Sequence, residues 1–173
     1  MACRKKEYSP TWLYAHSLEA LNRLETLDVF KQARRIALYH ALPGEVETAD
    51  FIEKWAETKS LFLPVVEGND LSLHPYRGKE SLQSGAFGIM EPGREEACRV
   101  DEIELMIVPG IAFDRRCNRL GRGKGYYDRL LTTGSIPKIG LCFSFQLVDE
   151  IPMEPFDIPM DWVVTDKEIH RTP

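Results

Sequence analysis

A three-layer α/β/α sandwich around a mostly parallel central sheet, an α/β fold, is predicted by two features of the chain. First, short apolar runs recur at Ile36–Tyr39, Leu61–Val66, Glu104–Val108, Lys138–Phe143 and Asp161–Thr165, each with strand character. Second, helical segments fall between them, with glycine- or proline-bearing turns at the junctions. The length of 173 residues suits one compact domain, and the 43% apolar fraction supplies a core. We therefore expect residues 1–173 to form a single domain.

The elements follow in order. Ser9-Pro10-Thr11-Trp12 opens a helix, with serine as the cap and proline in the first turn, and its apolar positions are Leu13, Leu18, Leu21 and Leu24. A second helical piece covers Asp28 to Arg34. Pro43-Gly44 breaks the first strand run. Thr48 to Lys59 reads as an amphipathic helix with Phe51, Ile52 and Trp55 on one face. Leu71 to Tyr76 is an edge strand or hairpin arm, because Pro75 lacks the donor that a central position needs. Lys79 to Pro92 reads as loop and Gly93 to Asp101 as exposed. Tyr126 to Leu131 reads as a helix, and Gln146 to Ile151 as a short turn or helix.

The net charge of −5 disfavours a general nucleic-acid binder. No apolar run reaches the length of a membrane span, and no secretory segment follows Met1. Cys3, Cys98, Cys117 and Cys142 form no CxxC pair and read as reduced thiols of a cytoplasmic protein. Cys98 and Cys142 suit packing, and Cys117, beside the glycine-rich segment, is a candidate reporter thiol. His16, His40, His74 and His170 lack metal-ligand spacing.

That glycine-rich segment carries the chemistry. Arg119-Leu120-Gly121-Arg122-Gly123-Lys124-Gly125-Tyr126-Tyr127-Asp128 combines alternating glycines with three cations. Glycines let backbone N–H groups approach a phosphate, and Arg119, Arg122 and Lys124 supply cations for the same anion. The segment is neither a Walker A motif, since Gly125 stands where Ser or Thr would bind magnesium, nor GxGxxG. Asp128 is placed to hold a metal ion that bridges phosphates, and Asp157, in a proline-rich loop, is a second candidate. Together these features suggest a nucleoside triphosphate site.

Other residues carry two readings. Glu45 either sits on the surface before a helix capped by Thr48, or accepts hydrogen bonds from a polar heterocycle. Phe87-Gly88-Ile89-Met90-Glu91-Pro92 either walls a flat pocket or packs as a loop. Ligands in open parallel sheets sit beyond the carboxyl ends of strands. Glu45, Asp114, the glycine segment, Ser144 and Gln146 all follow strand-like runs, so one cleft is expected to collect them.

These residues together resemble the 5-formyltetrahydrofolate cyclo-ligase family, also called methenyltetrahydrofolate synthetase. The resemblance rests on Val108-Pro109-Gly110-Ile111-Ala112-Phe113-Asp114, on Asn118 to Arg129, and on Gly85 to Pro92. It extends to Glu45–Thr48, Leu63–Val66, Gly140-Leu141 with Gln146, and Pro152 to Thr165. It implies a sheet like that of sugar-phosphate isomerases and CoA transferases. It also implies ATP- and Mg2+-dependent cyclisation of 5-formyltetrahydrofolate to 5,10-methenyltetrahydrofolate, with release of ADP and phosphate. By the same resemblance, Arg119 through Tyr127 contact ATP, with Arg122, Lys124 and Tyr127 closest to the chemistry. Glu45, Phe87, Gly88 and Tyr127 contact folate, and Asp128 and Asp157 hold magnesium.

The implied partners are folate and ATP alone, with neither nucleic acid nor membrane, and the implied assembly is a monomer or weak homodimer. One departure is expected. The family's N-terminal ATP-binding helix, with its Lys-x-x-Leu-Arg pattern, has no counterpart here, and Arg4, Lys5 or Lys6 are the cations at hand to replace it. Two competing readings follow: a non-catalytic folate-binding member of the family, disabled by the short N-terminus, and an enzyme of another class on a related fold.

Overall fold

The computed structural model describes residues 7–94 and 96–173. The expectations for Cys3, Arg4, Lys5 and Lys6 fall outside them.

A seven-stranded sheet forms the centre. Its strands are β1 (Arg35–Ala37), β2 (Ser60–Glu67), β3 (Asp70–Pro75), β6 (Leu105–Val108), β9 (Lys138–Leu141), β11 (Trp162–Val164) and β12 (Ile169–Arg171). They run in the order β12-β11-β9-β6-β1-β2-β3. The five inner strands pair in parallel, and only the edge strands β3 and β12 are antiparallel to their neighbours. Pro75 ends β3 at that edge, as its missing donor requires.

Both faces of the sheet are buried, which explains why the inner strands read as continuous apolar runs. Alternation still sorts the side chains. Ile36, Leu61, Leu63, Leu105 and Ile107 share one cluster with Leu21 and Leu24 of α1 (Pro10–Thr26), Phe30 of α2 (Asp28–Gln32), and Phe51 and Ile52 of α3 (Ala49–Ala56). Ala37, Phe62, Met106 and Val108 point the other way. They pack with Leu130 and Leu131 of α4 (Tyr126–Leu131) and with Phe113 of β7 (Ala112–Asp114).

The second face carries less helix than the first. One short helix, α4, shares it with a small sheet of order β10-β7-β8, where β8 is Arg119–Leu120 and β10 is Leu147–Val148. The segment between β6 and the glycine loop is thus an antiparallel β7–β8 hairpin. Strands of two or three residues give no readable alternation, so the sequence conceals them. The same holds for the ribbon β4 (Gln83–Ser84) and β5 (Met90–Glu91) inside the stretch read as loop.

Two local readings change. In α1 the buried positions are Ser17, Ala20, Leu21 and Leu24, whereas Leu18 is exposed. The Ser9 side chain does cap α1 by accepting from the Trp12 N–H at 3.1 Å. Thr48 stands at the α3 N-cap, but its hydroxyl does not cap the helix. It donates to the Tyr39 carbonyl at 2.6 Å and accepts from the Ala41 N–H at 3.2 Å, which staples the loop carrying Glu45.

Candidate active site

A cleft of about 610 Å³ lies beyond the carboxyl ends of β1 and β6 and is walled by the glycine loop. It gathers Glu45, Phe87, Asp128, Asp157 and every residue from Arg119 to Tyr127. Gly88 is not among the lining residues, although its neighbours Phe87 and Ile89 are. Phe87 is 67% exposed and takes a left-handed φ of 58°, so the ring stands free at the rim.

The glycine loop gets its shape from two arginines that clamp it at either end. Arg119 is buried. It donates to the Pro109 carbonyl at 3.2 Å and to Asp128 at 3.4 Å, and it lies over the Tyr127 ring at 5.4 Å. A Cβ at Gly121 would come within 3.0 Å of its guanidinium, so glycine lets the loop fold back over Arg119. Burial pushes the Arg119 pKa down, and the carboxylate of Asp128 works against that. Arg119 is therefore a fixed base of the loop rather than a mobile cation.

Arg129 forms the other clamp. It donates to the Lys124 carbonyl at 2.9 Å, to the Asn69 carbonyl and to Asp70 at 3.0 Å, and it covers the Tyr126 ring at 5.6 Å. It ties the glycine loop to the β2–β3 turn. Gly125 has φ 67°, and a Cβ there would lie 2.7 Å from the Arg129 guanidinium. The sequence places Arg129 at the end of the Asn118 to Arg129 segment but gives no hint of this role, because its partners Asp70 and Asn69 lie 59 and 60 residues away.

Between the clamps, Arg122, Gly123 and Lys124 are exposed to the cleft. With six residues, α4 offers little macrodipole, so an anion entering the cleft would be met by these cations and the loop amides instead.

Glu45 faces this loop from the β1–α3 connection. Its carboxylate is only 6% exposed. One oxygen accepts from the Leu42 N–H at 2.9 Å, and the other accepts from Arg122 at 3.0 Å. Tyr127 stands close by. Its partial burial pushes the phenol pKa well up, the Glu45 charge adds to this, and Arg119 opposes it. The Tyr127 hydroxyl thus keeps its proton at neutral pH and is available as a donor.

Asp128 and Asp157 reach the same cleft from α4 and the proline-rich loop. Asp128 is near Arg119, while Asp157 accepts from the Glu154 N–H at 2.7 Å. Two carboxylates beside exposed cations and an open cleft fit a magnesium ion that takes its other ligands from phosphate and water.

The remaining expected cleft residues lie elsewhere. Asp114 is fully buried and accepts from the N–H groups of Arg116, Asn118 and Ile151 and from the Asn118 amide, so it locks the β7–β8 turn. Gln146 is also buried and donates to the carbonyls of Gly110 and Ile111, which supports the cleft floor from behind. Ser144 bonds Asp166. Asp166 meets His16 and Glu19 in a cluster away from the cleft, which spacing hid because 150 residues separate His16 from Asp166. Cys117 is fully buried, which removes it as a reporter thiol. Among the described residues no helix is long and apolar enough to cross a membrane.

Fold and site define a cleft lined by glycines and cations at the carboxyl edge of a mostly parallel sheet. The profile of the 5-formyltetrahydrofolate cyclo-ligase family matches residues 1–166, and the chain belongs to that family. The 5-formyltetrahydrofolate cyclo-ligase of Haemophilus influenzae is 32% identical, over 91% of this chain and 90% of the relative. That of Escherichia coli K12 is 30% identical over 96% of both. The solved 5,10-methenyltetrahydrofolate synthetase of Aquifex aeolicus superposes with a TM-score of 0.88 at 38% identity, covering 97% of this chain and 87% of that one.

Proposed function

We propose that this chain catalyses the ATP-driven closure of 5-formyltetrahydrofolate to 5,10-methenyltetrahydrofolate, releasing ADP and phosphate. Family membership supports the reaction. The observation that carries its assignment to this cleft is the meeting of Arg122 and Lys124 with Glu45 across one cavity.

The chemistry needs such a meeting. A formyl oxygen is a poor leaving group. Its attack on the γ-phosphorus expels ADP and leaves an imidate-like phosphate. The neighbouring amine then adds to the activated carbon, and the C–O bond breaks as phosphate departs. No covalent enzyme nucleophile is required, so the protein acts by alignment and charge stabilisation.

In this reading Arg122 and Lys124 bind the triphosphate and neutralise charge on the transferred group, while the amides of Gly121 to Gly125 cradle it. Arg119 holds the loop and Asp128 in place. Glu45 accepts N–H groups of the pterin, the Tyr127 hydroxyl donates at the substrate edge, and Phe87 offers a flat face. Asp128 and Asp157 would hold magnesium, which when bound adds positive charge to the phosphates. The protein acts in the cytoplasm, as a monomer or weak homodimer.

The test is absorbance in the methenyl-folate band with purified protein, 5-formyltetrahydrofolate, magnesium and ATP. An ATP-dependent rise is expected. Tight folate binding with no rise and no phosphate release would establish the non-catalytic alternative instead.

A further inference from the structure

Arg122 and Glu45 come from connections 77 residues apart, yet they meet at 3.0 Å across the cleft. The two partners differ in freedom. The Glu45 carboxylate is 6% exposed and held from behind by the Leu42 N–H, whereas Arg122 is 53% exposed on a glycine-flanked loop. Gly123, just after Arg122, has φ 85°, and a Cβ built there would meet no atom within 4 Å, so no side chain packs the loop down at that point. Arg122 is thus the movable half of the pair, and Glu45 is the fixed half.

The pairing has a consequence for the two substrates. A carboxylate oxygen that accepts from a guanidinium has less capacity left for the N–H groups of a heterocycle. A triphosphate carries several negative charges and draws a guanidinium more strongly than one carboxylate does. Resting on the proposed function, we infer that the Arg122–Glu45 ion pair is a latch that ATP opens. Phosphates pull Arg122 away, and the released Glu45 oxygen becomes the acceptor for the pterin.

The buried setting strengthens the effect. Once Arg122 has left, the Glu45 charge faces the phenols of Tyr39 and Tyr127 in a poorly solvated wall, with Leu42 as its remaining hydrogen-bond donor. A buried carboxylate with lost partners is costly, and a ligand that supplies N–H donors recovers that cost. Nucleotide and folate therefore bind with positive coupling. By linkage, each tightens the other by the same factor.

The experiment is equilibrium binding of 5-formyltetrahydrofolate by calorimetry, alone and with a saturating non-hydrolysable ATP analogue and magnesium. Wild-type protein is expected to bind folate about fivefold or more tightly when the analogue is present, within the usual range of coupling factors. Arg122→Gln lacks the competing charge. Its nucleotide-free folate affinity should exceed that of the wild type, and its coupling ratio should fall to about one.

A plain phosphate-binding role for Arg122 predicts instead that the nucleotide-free folate affinity is unchanged by the substitution. That result, or weaker folate binding in Arg122→Gln, overturns the latch. If Arg122→Gln does not fold, the wild-type ratio decides, and a ratio of one overturns the latch. Turnover with a ratio of one leaves the proposed function standing and removes only the latch. Absence of both folate binding and turnover removes both.

Discussion

The Asp128 carboxylate stands 3.4 Å from the guanidinium of Arg119, so a candidate metal ligand also serves as counter-charge to a buried cation. The link makes the metal site and the glycine loop one electrostatic unit. Asp128→Asn keeps the side-chain shape but removes the charge. The half-maximal magnesium concentration should rise about tenfold, equivalent to about 1.4 kcal/mol. An identical magnesium titration would remove Asp128 from the metal site.

Lys124 offers an exposed ammonium to the cleft from a loop whose backbone Arg129 holds. Lys124→Ala should raise the KM for ATP about tenfold and lower kcat, since a phosphate cation is lost from both ground and transition states. Steady-state kinetics at varied ATP check this. Unchanged constants would sink the phosphate role.

Arg129 holds the glycine loop from outside the cleft, through the Lys124 carbonyl and the Tyr126 ring, and ties it to the β2–β3 turn. Arg129→Ala should raise the KM for ATP severalfold while costing little stability. The exposed pair with Asp70 is worth about 1 kcal/mol or less. Kinetics paired with thermal melts separate the two effects. A large fall in melting temperature with normal KM would recast Arg129 as a purely structural tie.

Asp114 gives a pH prediction. Burial alone would raise its pKa, but the Asn118 amide and the N–H groups of Ile151, Asn118 and Arg116 outweigh it and hold the carboxyl below its usual value. A depressed folded pKa means that the stabilisation is complete above the unfolded value of about 3.9 and disappears as pH falls through the folded one. Melting temperature should drop below about pH 4, with a steeper slope in wild type than in Asp114→Asn. The variant should also lose about 2–3 kcal/mol at neutral pH, because its amide NH2 would face N–H donors. Equal slopes would show that other carboxylates govern the acid limb.

Gly140 tests packing behind the site. A Cβ there would lie 2.4 Å from the ring of Phe113, which is fully buried. Gly140→Ala should destabilise by about 1–3 kcal/mol through overpacking, read as a lower denaturation midpoint. A midpoint like that of wild type would mean that Phe113 shifts at little cost.

Much of the molecule was legible in the chain. The five apolar runs became the five inner strands, because strands buried on both faces need uninterrupted apolar side chains. Pro75 marked the sheet edge through its missing donor. The glycine segment stood out as a cleft-lining loop, since glycine alternating with cations has a local physical meaning. Glu45 stayed ambiguous, because a glutamate before a helix reads as an ordinary surface residue until its partner is known.

The sequence by itself thus determined the layered α/β architecture and the glycine-rich loop that walls the cleft, because these depend on periodicity and local backbone freedom. Only the tertiary structure decided that Arg119 is buried, that Arg129 is a clamp, that Asp114 and Gln146 support the cleft from behind, and that Glu45 faces Arg122. Each of these depends on which distant segment fills the space beside a side chain. Burial and partner are fixed by that packing rather than by the neighbours along the chain.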